Sequence, residues 1–168
     1  MITEKFIQSE IMRLSKKYHT PVYSLDRNKI GNQWGTISYR NFGQPKNRYS
    51  WDHGSRLLTP TYPLSDICVA IQKELCAITR LVVVYHEFGH VQCFRNSCDC
   101  KICDWSWKQH DRSRQELHAF RFAIKTSVKL GIYPVRQKII CHLKRLTKVD
   151  NLVYADTAKK LLAELEII

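Results

Sequence analysis

His86-Glu87-Phe88-Gly89-His90 places two imidazoles and a carboxylate within five consecutive residues. On an α-helix, residues four apart lie about 40° apart around the axis and one turn apart along it. His86 and His90 then point the same way, close enough to bind one metal ion. Glu87 projects about 100° round from His86, where it can reach a water at the metal rather than the ion. Two histidine ligands beside a carboxylate general base are the equipment of metal-assisted hydrolysis. The competing reading is a solvated helix end with two satisfied histidines. The apolar run Leu81–Tyr85 just before the motif favours the metal, because polar groups at the end of a core helix are costly to bury unless something binds them.

Such a centre needs a third protein ligand. The best candidate is Glu116, in the stretch Gln115–Leu130. On a wheel of 100° per residue, Ala119, Phe120, Ala123, Ser127 and Leu130 fall within about 60° of Glu116. Arg114, Arg121, Lys125 and Lys129 fall within about 40° of the opposite side. Glu116 therefore lies on the inward face, where a lone carboxylate calls for a positive partner. A zinc ion would be one and an arginine another. His118 falls inside the basic stripe, which argues against it as a ligand. His110, His118 and Tyr133 are candidate donors to a developing oxyanion, and the sequence does not choose among them.

Cysteine is the second unusual feature. Cys93, Cys98, Cys100 and Cys103 lie within eleven residues, between the histidine motif and Glu116. Four thiolates this close could hold a structural zinc ion. C-x-C is tight for zinc, however, so independent reduced thiols, two disulfides or an iron–sulfur cluster stay open. Cys68, Cys76 and Cys141 sit in apolar patterns and are expected in the core.

The run HEFGH, followed by Glu116-x-x-Ala119-x-x-Phe122-Ala123, resembles the ImmA/IrrE family of small gluzincin-type metallopeptidases. The similarity covers about residues 80–123. Carried over by position, it implies that His86, His90 and Glu116 bind zinc and that Glu87 is the base. It also implies cleavage of a protein substrate, in that family typically a DNA-binding repressor. The chain departs from the pattern at His118, where a second acid is common, and at Phe120, where Asn or Asp is common.

The expected fold is a single α+β, zincin-like domain over 1–168, mostly helical with a small sheet and a Cys-rich insertion at about 93–103. A helix over 3–18 buries Phe6, Ile7, Ile11, Leu14 and Tyr18. Val22–Leu25 and Gln33–Arg40 read as strands. Residues 41–62 read as a long loop with one strand near Arg56–Thr59. Pro63 and Ser65 read as the start of the histidine helix, with Ile67, Ile71, Leu75, Ile78 and Val82 on one face. The Glu116 helix ends at Gly131, Pro134 opens another to about Thr147, and Asp150 or Asn151 caps a last one through Leu165.

The net charge is +12, and residues 95–149 hold 13 Lys or Arg against four Asp or Glu. A basic face with Trp105, Trp107 and Tyr133 could meet nucleic acid or an acidic protein, or be merely solvated. No run is long and apolar enough for a membrane span. The charged amphipathic N-terminus and the odd count of seven cysteines point to a reducing cytoplasmic setting. The reading is a zinc metallopeptidase acting on a specific intracellular protein, with a DNA-associated regulator as the candidate substrate. The rival is a non-catalytic protein that binds nucleic acid or a partner on the same scaffold.

Overall fold

A computed structural model describes residues 2–30, 34–39, 55–62, 65–95, 112–150 and 152–166. It is an α+β protein whose helices far outweigh one four-stranded sheet. Two compact units divide the chain, Met1–Glu87 and Phe88–Ile168.

In the first unit, α1 (Glu4–Tyr18) starts where Thr3 Oγ1 accepts from Phe6 N at 3.2 Å. Glu4 in the first turn and Lys16 and Lys17 in the last suit the helix dipole. His19 closes the helix in the left-handed region, at φ 47°. Ile7, Ile11, Leu14 and Tyr18 are buried as the spacing predicts, whereas Phe6 is only half-buried. Next come β1 (Val22–Leu25), a single helical turn α2 (Arg27–Ile30), β2 (Gly35–Tyr39), β3 (Arg56–Leu57) and β4 (Ile67–Gln72). The sheet order is β2-β4-β1-β3, with β4 parallel to β1 and antiparallel to β2.

The strand β4 corrects one expectation. Residues 67–72 are not the first turns of the histidine helix, which begins at Ala77 as α3 (Ala77–Phe94). Ile67 and Ile71 satisfy a four-residue repeat, but with Val69 they satisfy a two-residue repeat equally well. All six residues of β4 are buried, as in a strand covered on both faces. Lys73 and Glu74 make the turn into α3.

One buried polar network ties α1 to α3. Glu10 pairs with Arg13 through two 2.8 Å bonds, and Tyr85 Oη donates to Glu10 Oε2 at 3.1 Å. Burial pushes the Tyr85 hydroxyl well above its ordinary value, and the Glu10 carboxylate pushes it further. Tyr85 immediately precedes His86, so this network helps set the rotation of α3.

In the second unit, α4 (Arg112–Lys129), α5 (Tyr133–Leu146) and α6 (Leu152–Glu166) pack on one another. The expected stop at Gly131 is a Schellman cap: Gly131 has φ +65°, its N–H reaches Val128 O, and Ile132 N–H reaches Ser127 O. Leu130 is exposed although the wheel placed it inward, because the chain leaves the helix there. Arg121 Nε donates to Glu164 Oε2 at 2.8 Å, joining α4 to α6 and holding the Glu164 carboxyl below its usual range.

Replacing Glu10 with Ala should lower stability by about 1–3 kcal/mol, since it strands a buried hydroxyl and frees Arg13. Tyr85→Phe, which leaves the ion pair intact, should lower it by only about 0.5–1.5 kcal/mol. Urea midpoints measure both. Equal effects from the two variants would contradict a network centred on Glu10.

Candidate metal centre

His86 and His90 lie on one face of α3, and Glu116 lies in the second turn of α4. His90 Nε2 stands 3.7 Å from Glu116 Oε1. One donor atom from each of His86, His90 and Glu116 falls within 4.8 Å of the other two. Donors about 2.0–2.2 Å from a tetrahedral metal stand about 3.3–3.6 Å from each other. The 3.7 Å pair is close to that edge. Two imidazoles and one carboxylate suit a borderline divalent cation with an open fourth position. These three residues form a group that could hold a metal ion.

Close helix contact brings Glu116 to His90. Gly89 lies against Ala119: a Cβ at position 89 would sit 2.5 Å from Ala119 Cα and 2.9 Å from its carbonyl oxygen. No side chain fits there, and Ala119 is the smallest residue other than glycine that could oppose it. Ala119 is one turn beyond Glu116, so the contact that admits no Cβ also fixes the carboxylate's height along α3. Glu116 and His90 are each 9% exposed, which agrees with the inward placement of Glu116. Ala119, Phe120, Ala123 and Ser127 are buried with it, whereas Lys125 and Lys129 are exposed.

Glu87 is 7% exposed. Its side chain runs beside the first residue of β2: a Cβ on Gly35 would meet Glu87 Oε1 at 3.0 Å and Val83 Cγ1 at 2.3 Å. Gly35 was not singled out in the sequence, and nor was Gly89. The only available signal for Gly89 was a glycine in the middle of an apolar helix, where it is unfavourable without a packing reason.

The remaining candidates are placed as follows. His118 Nε2 lies 3.1 Å from Gln92 Oε1, away from the ligand role. Tyr133 is 72% exposed at the start of α5. Of the cysteine cluster, Cys93 is buried in α3. Cys98, Cys100 and Cys103 lie outside the described residues, as do His110, Trp105 and Trp107. The expectation that Cys68, Cys76 and Cys141 are core residues holds for Cys68 alone. Cys76 precedes the first turn of α3 and Cys141 lies on the outer side of α5, and both are exposed. Among the described residues, no helix is long and apolar enough to cross a membrane. No family model, curated protein or solved structure matches the chain.

Gly89→Ala sets two effects against each other. Alanine is favoured over glycine in a helix by about 1 kcal/mol. Overpacking against the Ala119 backbone costs about 1–3 kcal/mol and should win. The variant should be less stable and, in a chelator competition, bind a divalent metal ion at least ten-fold more weakly than wild type. Unchanged metal affinity would show that the close approach does not position Glu116.

Proposed function

We propose that this chain is a zinc-dependent metallopeptidase that hydrolyses a peptide bond in a specific intracellular protein. The observation that carries the reading is the His86, His90 and Glu116 group with a buried Glu87 next to it in the chain. A site built only to hold a structural metal has no use for a buried carboxylate at that position. When bound, zinc supplies Lewis acidity and lowers the pKa of water at its open position.

The protein's own residues do the rest. His86, His90 and Glu116 hold the ion. Glu87, about 100° round α3 from His86, takes a proton from the attacking water on one carboxylate oxygen. It then delivers that proton to the departing amine nitrogen, which leaves the carboxylate ready for another cycle. Gly35 leaves the room beside Glu87 that a larger residue would fill.

The motif's resemblance to the ImmA/IrrE metallopeptidases favours a protein substrate, and we take a DNA-associated regulator as its class. Cys93, with Cys98, Cys100 and Cys103, is the proposed holder of a second, structural zinc ion.

Glu87→Gln tests the reading. It should retain zinc and fold while losing about 10²–10⁴-fold in hydrolysis. The assay compares new protein termini in native cells expressing wild type or variant. A variant that reproduces every effect of the wild type would favour the binding protein on the same scaffold.

A further inference from the structure

The helices α3 and α4 meet at more than one point. At the centre, the backbone of Gly89 lies against that of Ala119. To one side, His90 Nε2 stands 3.7 Å from Glu116 Oε1. A second polar pair also bridges the two helices: His118 Nε2 donates to Gln92 Oε1 at 3.1 Å. All of these residues lie in the second unit. Gln92 is two residues beyond His90, and His118 is two residues beyond Glu116.

Helical angles place the pairs. Counted from His90, Gly89 lies about 100° round α3, and Gln92 lies about 160° round in the same sense. Counted from Glu116, Ala119 lies about 60° round α4, and His118 lies about 160° round in the same sense. On each helix the residue of the close contact thus stands between the metal ligand and the hydrogen-bonding residue. The ligand pair and the Gln92–His118 pair flank the Gly89–Ala119 contact on opposite sides.

A contact through one glycine and one alanine fixes how near two helices come. It does not fix the rotation of α4 about its own axis. A roll of about 20° carries a group about 6 Å from the axis through about 2 Å. A metal–oxygen bond is itself only about 2.0–2.2 Å long, so such a roll takes a ligand out of reach. A hydrogen bond on the far flank of the contact resists the roll, because its own length must change when α4 turns.

We propose that Gln92 and His118 are positioning residues for the metal centre: their hydrogen bond holds α4 at the rotation that keeps Glu116 within reach of the ion. Neither is a ligand. The proposal rests on the metal reading of His86, His90 and Glu116 and not on the peptidase reading, so its test needs no substrate. Without the bond, α4 spends less time in the ligating rotation, and the apparent metal affinity falls with that fraction.

The probe is cobalt(II), titrated into the metal-free full chain and followed by its visible absorption, which reports coordination geometry. His118→Phe keeps a ring and removes the donor; Gln92→Leu keeps a side chain of similar bulk and removes the acceptor. Each should weaken cobalt(II) binding about three- to ten-fold, the worth of one net hydrogen bond, with the saturated spectrum unchanged. The double variant should bind within about two-fold of either single one, since both changes remove the same bond. His118→Gln, whose amide can donate to Gln92, should recover affinity to within about two-fold of wild type. Arg121→Gln breaks the bond from α4 to Glu164 on α6 instead. It should lower the urea midpoint yet leave cobalt(II) affinity within about two-fold of wild type. Single variants that bind as wild type does would overturn the assignment. So would losses that multiply in the double variant, no recovery with glutamine, or an equal loss in Arg121→Gln. No cobalt(II) binding by wild type would overturn the metal reading and the proposal with it, a result distinct from a wild type that binds and variants that match it.

Discussion

Gly89 against Ala119 is the contact on which the candidate centre depends. Two helix backbones meet there with no room for a Cβ. The helical rise then carries the spacing to the ligands: His90 is the residue after Gly89, and Glu116 is one turn before Ala119. A carboxylate on a long side chain can reach an imidazole across several ångströms. It is held at 3.7 Å only if the backbones beneath it are fixed. Glycine in the interior of α3 is unfavourable for the helix by about 1 kcal/mol, and the close approach of the Ala119 backbone gives that sacrifice a reason.

Other parts of the protein serve the same helix. The Glu10, Arg13 and Tyr85 network grips α3 at the residue before His86, and Gly35 lets β2 lie close beside Glu87. In the second unit, the packing of α4, α5 and α6 holds Glu116 inward and turns the lysines outward. One helix wheel thus separates the face that carries Glu116 from the face that carries the lysines.

The site was more legible than the path leading to it. His86 and His90 follow from four-residue spacing, and Glu116 from the opposed arcs of small residues and cations, because helical geometry converts spacing directly into direction. The stop at Gly131 was legible because a left-handed residue favours glycine. The segment 67–72 was misread because a strand buried on both faces has no alternation to display, and Ile67 and Ile71 fit either period. Cys76 and Cys141 were misplaced because cysteine is small enough to sit at the edge of an apolar pattern without entering the core. The roles of Gly89 and Gly35 depend on which elements meet in space, and a single sequence does not record that.

The most direct measurement of the central claim is a crystal structure of zinc-loaded protein with anomalous data at the zinc absorption edge. The account predicts a peak within about 2.3 Å of one nitrogen each of His86 and His90 and one oxygen of Glu116. It also predicts that Glu87 stays outside that distance. A zinc-loaded protein with no peak between the two imidazoles would contradict it, as would a peak ligated by Glu87 in place of Glu116.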